Sequence, residues 1–274
     1  MEKAFYFENE EKSLFAILHS PSKSKERKGI IFCHPYGEEK QLSYRVLVNF
    51  ARELCNKGFY VLRFDCFGYG DSQGDFEDAT IETQISDTIK SIDFFKSQLK
   101  IEKIGLLGLR LGGTISALVA EQDTRIEKLI LWSPIISGKV YLNELFGKKL
   151  FSEFTIKKAN TSKSQIIEEI ESKGLVDIEG HYLTRQVYEQ LLGICLTTNV
   201  SNFKGSVLLC TINGRPKLNR SFETLSEVYK KRGALCNLKF ADDKIFWDSG
   251  LFFEWYFPTN LYEETLKWIT RDLE

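Results

Sequence analysis

The stretch Lys103 to Leu118, KIGLLGLRLGGTISAL, constrains this chain more than any other. Lys103 to Leu109 is a short, mainly apolar run, as expected of a strand buried on both faces. Gly108 permits a tight turn. Gly112 and Gly113 let a following helix backbone pass close to neighbouring strands. Thr114 to Ala120 then supplies small and apolar residues that suit a helix. The expected unit is a strand, a sharp turn and a helix, with Arg110 at the turn. A guanidinium stays protonated at ordinary pH and has no lone pair with which to attack a substrate. Above a helix N-terminus it is suited to an anion or to an internal carboxylate. A surface arginine on a plain glycine turn is the simpler alternative.

The rest of the chain repeats the same rhythm. Ala4 to Phe7 and Ser13 to His19 read as a hairpin, with His19 a surface residue at the strand end. Gly29 to Cys33, GIIFC, is a continuous apolar run that ends in His34-Pro35-Tyr36-Gly37-Glu38-Glu39. From Gln41 to Lys57, the apolar residues Leu42, Val46, Phe50 and Leu54 recur at helical spacing, and Gly58 stops the helix. Tyr60 to Asp65 is a strand leading into a glycine-rich loop. Ile81 to Leu99 is a second amphipathic helix, and Glu127 to Ser133 a further buried strand. This alternation predicts a parallel sheet with right-handed crossovers. Pro134 to about Asn202 breaks the rhythm with three mainly helical pieces, the pattern of a lid over a site. Leu142, Leu145, Phe146, Leu150 and Phe151 can face a substrate there or seal the lid. The sheet resumes at Ser206 to Cys210. A helix at Phe222 to Lys231, a strand at Leu235 to Phe240 and a helix at Asn260 to Thr270 complete the chain.

Several function classes are excluded or disfavoured. The 274 residues carry a net charge of −1, without the basic excess expected of a nucleic-acid binder. No apolar run reaches the length of a membrane-spanning helix. The N-terminal MEKAFYFENEEK lacks an apolar signal core, so a cytoplasmic location is expected. The six cysteines (Cys33, Cys55, Cys66, Cys195, Cys210 and Cys236) form no C-x-x-C pair. They are read as buried free thiols, and neither a metal nor a cofactor is expected. A Cys33–His34 dyad is disfavoured because adjacent strand side chains point to opposite faces. Cys66 with His34 has no motif behind it.

The turn Gly108-Leu109-Arg110-Leu111-Gly112 resembles the nucleophile elbow of α/β-hydrolases, G-x-S-x-G, with Arg110 where that family carries its serine. Arg63, Asp65, Gly68, Gly70, Ser72 and Gly74 likewise match the family's R-x-D-x-x-G-x-G-x-S-x-G stretch. The broad resemblance is to the serine-aminopeptidase-like branch. It implies an α/β-hydrolase core at 1–133 and 203–274 with a helical lid at 134–202. It also implies oxyanion-hole donors at the backbone N–H groups of Tyr36 and Leu111. His34 is then read as bracing its loop, with a role as base the alternative. Asp65 and Asp71 are read as loop-organising carboxylates. HPYGEEK, GDSQGDFEDA, GLRLGG and LWSPIISGKVYL together resemble the second hydrolase-like protein of the exosortase A system, which implies a bacterial exopolysaccharide or protein-sorting context.

The family's acid and histidine positions fail along with the serine. The seventh core strand ends in Thr211-Ile212-Asn213-Gly214, without an immediate carboxylate, and no histidine follows His181. His181 itself is read as structural. The candidate pocket is Arg110, Leu111, His34, Tyr36, Glu38, Glu39 and Trp247, with Arg110 paired to Glu38, Glu39 or an anionic ligand. The expected function is accessory or non-catalytic, the pocket holding a small acyl or anionic ligand or serving a protein partner. The alternative is a hydrolase or acyltransferase acting on an ester, thioester or amide by a noncanonical route.

Overall fold

The computed structural model describes residues 1–23, 26–158, 161–212, 220–248 and 256–271. Its centre is an eight-stranded sheet. The strands are β1 (Glu2–Asn9), β2 (Lys12–His19), β3 (Lys28–Cys33), β4 (Tyr60–Phe64), β5 (Lys103–Leu109), β6 (Ile126–Trp132), β9 (Ser206–Ile212) and β10 (Leu235–Ala241). Their order across the sheet is β1-β2-β4-β3-β5-β6-β9-β10. The β1–β2 and β2–β4 pairs are antiparallel, and every other neighbouring pair is parallel. The core helices are α1 (Glu38–Asn56), α2 (Ile81–Leu99), α3 (Leu111–Ala120), α8 (Arg220–Lys231) and α9 (Thr259–Thr270).

The alternation of side chains along the strands divides the core in two. Ile31, Leu62, Leu106, Leu129, Leu131 and Leu209 join Ile92 and Phe95 of α2 and Ile115 of α3 on one face. Ile30, Phe32, Val61, Leu107, Ile130, Trp132 and Leu208 join Leu47, Phe50 and Leu54 of α1 and Trp268 and Ile269 of α9 on the other. Covering both faces is what makes β3 and β5 continuous apolar runs, since every position needs a dry partner. Each fully buried leucine or isoleucine contributes about 1.5–3 kcal/mol by removal from water. Trp132, buried in this core, is bonded there: its Nε1 donates to Thr265 Oγ1 at 3.0 Å.

Between β6 and β9 the chain leaves the sheet. This insertion holds α4 (Gly138–Ser152), a π-helical turn at Glu153–Lys157, α5 (Lys163–Lys173), the antiparallel hairpin β7 (Leu175–Ile178) with β8 (His181–Thr184), α6 (Arg185–Leu192) and the short α7 (Leu196–Asn199). The reading of this region as three mainly helical pieces missed a hairpin, whose four-residue strands are too short for periodicity to reveal. Ser137 and Cys195 form an antiparallel bridge, so the two ends of the insertion leave the core side by side. Among the described residues, no helix is long and apolar enough to cross a membrane, and no group of acidic, histidine and cysteine side chains could hold a metal ion.

One polar residue departs from expectation. His19 is not a surface residue: it is 1% exposed. Its Nε2 accepts from Arg63 Nε at 3.0 Å, and its Nδ1 lies 3.5 Å from a Glu2 carboxylate oxygen. The sheet brings Arg63 beside it, because β2 and β4 pair antiparallel with His19 opposite Val61. Burial, and then the Arg63 charge, push the imidazole down to about 4. In the unfolded chain the imidazole titrates near its ordinary value, so the unfolded state takes up the proton first. Stability present above about pH 6.5 is therefore lost as pH falls toward about 4. Wild type should lose on the order of 1–2 kcal/mol between pH 7 and pH 5 from this group. His19→Gln keeps an acceptor for Arg63 and removes the titration, so urea unfolding should show a shallower acid slope. An identical slope would mean that His19 is not held neutral.

Candidate functional site

The elbow forms as the glycines dictate. β5 runs directly into Arg110, and α3 begins at the next residue. Arg110 has φ 53° and ψ −121°, a backbone conformation costly for any side chain but glycine. It persists because the surroundings hold it. Arg110 N donates to Trp132 O at 3.0 Å, while Arg110 O accepts from Gly113 N at 3.0 Å and Ile135 N at 3.3 Å. Gly112 is required by closeness: a Cβ there would sit 2.1 Å from the carbonyl oxygen of Cys33. The elbow thus lies against the end of β3, beside the loop that carries His34 and Tyr36.

The Arg110 side chain is largely buried and lies among carboxylates. Its Nε donates to Glu39 Oε1 at 3.1 Å. Its Nη2 donates to Glu144 Oε2, on α4 of the insertion. The guanidinium carbon lies 5.4 Å from the centre of the Tyr141 ring and 5.6 Å from that of Trp247, within range of cation–π attraction. Tyr141 also donates its hydroxyl to Glu39 Oε2 at 3.3 Å. Burial by itself would lower the Arg110 pKa, but the Glu39 and Glu144 carboxylates outweigh it and hold the cation above its ordinary value. Burial raises Glu39, with the Arg110 charge acting against it.

Glu38 takes a different partner. Lys148 Nζ lies 3.8 Å from Glu38 Oε2, 3.6 Å from Glu179 Oε2 and 3.7 Å from Asp248 Oδ1. Burial raises the Glu38 pKa first, and the neighbouring Glu179 carboxyl raises it further. Core and insertion are therefore joined by two sets of ion pairs. Tyr141, Glu144 and Lys148, spaced three and four residues apart on α4, supply the insertion's share from one side of that helix.

The remaining candidates divide. Leu111 opens α3 and is fully buried. The first N–H groups of such a helix have no acceptor within it. Tyr36 is buried and donates its hydroxyl to Tyr182 O at 2.7 Å. His34 lies near Lys40, Asp65 and Arg63; burial, then the Lys40 charge, push it down to about 3. Its buried Nδ1 has no hydrogen-bond partner among the described residues. Asp65 pairs with Lys40 at 2.6 Å and accepts from Asp71 N at 3.1 Å, while Ser72 Oγ donates to Asp65 O at 2.6 Å. Cys33 Sγ faces Thr88 Oγ1 at 3.8 Å. Burial raises both Cys33 and Cys66, which disfavours thiolate chemistry at either. The His181 ring lies 5.3 Å from that of Phe76, tilted by 52°, and its Nε2 lies 3.4 Å from Gln41 Nε2. Leu142, Leu145 and Phe146 are buried, whereas Phe151 is exposed. Asn213 and Gly214, at the family's acid position, lie outside the described residues. Asp243, after β10, accepts from Tyr256 OH at 2.7 Å and Leu261 N at 2.7 Å, and so anchors α9.

Sequence reasoning missed Tyr141, Glu144, Lys148 and Glu179. The spacing of the first three was a readable signal, masked by the apolar residues between them.

The sheet, the elbow and the flanking helices define an α/β-hydrolase fold. The chain belongs to the serine aminopeptidase S33 family, whose pattern it matches over residues 24–189. It is similar to the uncharacterised protein YcjY of Escherichia coli K12, with 27% identity over 48% of this chain and 44% of that protein. It is also similar to an uncharacterised 31.7 kDa E. coli protein from the traX-finO intergenic region, with 28% identity over 56% of this chain and 58% of that one. The matches thus span about half the length of these relatives. Among solved structures, Est1E of Butyrivibrio proteoclasticus with bound ferulic acid superposes with a TM-score of 0.69 at 20% identity, covering 98% of this chain and 100% of Est1E. Mouse alpha/beta hydrolase domain-containing protein 10 gives 0.62 at 14% identity, covering 99% and 100%. At such identities these two structures establish the fold alone.

Proposed function

We infer that this chain is a non-hydrolytic member of its family that uses the elbow pocket to hold an acyl or anionic ligand, or an acidic group on a partner. One observation carries the reading: the nucleophile position is taken by Arg110, a cation locked by Glu39 that cannot attack a carbonyl. An Arg fork suits a carboxylate, with Tyr141 and Trp247 as aromatic walls. In this reading the insertion, residues 134 to 202, is the lid. Ferulic acid, the ligand of Est1E, is itself a carboxylic acid, which accords with the ligand class. The resemblance of the elbow and flanking motifs to the exosortase-linked protein accords with an accessory role in a bacterial exopolysaccharide or sorting system.

The reading predicts that a fluorophosphonate probe leaves the intact mass of the folded protein unchanged. It also predicts that Arg110→Ser gains no turnover of p-nitrophenyl butyrate above a heat-killed control. A serine at the elbow needs an imidazole to take its proton. The chain's three histidines are His19, His34 and His181. His19 is committed to Arg63, and burial makes His34 a weak base. A covalent adduct on the wild-type protein would overturn the reading and identify an activated nucleophile.

A further inference from the structure

The two carboxylates on Arg110 are not equivalent. The Glu39 side chain is 6% exposed and that of Glu144 is 46% exposed. Glu39 takes the inner edge of the guanidinium through Nε and is fixed by a second bond from Tyr141. Glu144 takes the terminal Nη2. No described residue accepts a hydrogen bond from Nη1. The end of the guanidinium, where Nη1 and Nη2 point in parallel and a planar carboxylate fits with two hydrogen bonds, is therefore half occupied by a half-exposed side chain.

We propose that Glu144 is a displaceable internal carboxylate that closes the pocket, and that a ligand carboxylate enters by taking its place on Arg110. This rests on the reading of the elbow as a ligand site and adds how that site is gated. The exchange replaces one carboxylate by another on the same cation, so the buried Glu39–Arg110 pair is undisturbed. Only an exposed side chain has to rotate into water. α4 need not move, because Tyr141 on Glu39 and Lys148 on Glu38 and Glu179 hold it on either side of Glu144. The displaced Glu144 carboxylate passes into water while the ligand carboxylate takes over its bond to Arg110, so the gate competes with the ligand through occupancy of Nη2.

The test is calorimetric titration of the wild-type protein and E144Q with decanoate, using decanol as the uncharged counterpart, near neutral pH. E144Q keeps the size of the side chain and removes its charge. The expected result is decanoate affinity about tenfold or more higher in E144Q, a shift of about 1.4 kcal/mol, with decanol bound equally by both proteins. Equal or weaker decanoate binding in E144Q, or no decanoate binding by either protein, overturns the gate. R110K separates this from the underlying reading, because it keeps a cation for Glu39 but lacks the fork. Decanoate binding weakened by R110K but indifferent to E144Q would leave the ligand site standing and remove the gate. Binding indifferent to both would remove both.

Discussion

Arg110→Ala is expected to lower the unfolding free energy by about 3 kcal/mol above neutral pH, because it leaves Glu39 buried without its cation. Glu39 is 4% exposed overall, and Tyr141 supplies its other bond to the α4 side. A single neutral donor cannot replace a guanidinium for a carboxylate in that setting. The variant's remedy is to bind a proton. Burial already raises Glu39 in the wild type, with Arg110 opposing it, so removing Arg110 raises it further. A carboxyl whose folded pKa lies above its unfolded value keeps full stability below the unfolded pKa and loses it as pH rises through the folded one. The deficit of Arg110→Ala should therefore be small near pH 4, apart from lost packing, and widen toward pH 8. Adding Glu39→Gln to Arg110→Ala should flatten that widening. Urea unfolding of wild type, single and double variants at the two pH values measures it. A deficit that does not depend on pH would show that Glu39 carries no buried charge, and the ion-pair account of the elbow would fail.

The same pairing shows where the sequence was legible and where it was not. The strands and core helices could be read because each must repeat apolar residues at its own period to be covered on its buried faces; α2 begins and ends where its pattern does, at Ile81 and Leu99. The elbow was legible because steric closeness admits only glycine at certain points, and glycine leaves a mark in the sequence. Polar partners left no such mark. Whether Arg110 meets Glu38 or Glu39 depends on a helical turn of about 100° between adjacent residues at the start of α1. That turn sends Glu39 to the elbow and Glu38 to Lys148. Glu144 lies 34 residues beyond Arg110 and reaches it only through the docking of the insertion. His19 was misread for the same reason, since the strand register that buries it beside Arg63 is a tertiary property.

Gly112→Ala should strongly destabilise the molecule, while Gly147→Ala, on α4, should stabilise it. The two isolate closeness from helix propensity. A Cβ on Gly112 would lie 2.1 Å from Cys33 O, 2.6 Å from Cys33 C and 2.6 Å from His34 O. All three are backbone atoms at the end of β3, a strand paired on both sides to β4 and β5, so they cannot yield as a flexible side chain would. Either α3 tilts away from the sheet or the β3 end shifts. Both routes disturb packing around Leu111, Thr114 and Ser116, which are buried to within 0% exposure. Overpacking of this kind costs about 3 kcal/mol, and it would also displace the loop carrying Tyr36. A Cβ on Gly147 meets nothing within 4 Å, so there alanine gains only the helix preference of roughly 0.5–1 kcal/mol over glycine. Thermal unfolding of the pair should move in opposite directions. A Gly112→Ala protein as stable as wild type would mean that the elbow does not sit against the end of β3, and the placement of Arg110 beside the His34–Tyr36 loop would fall with it.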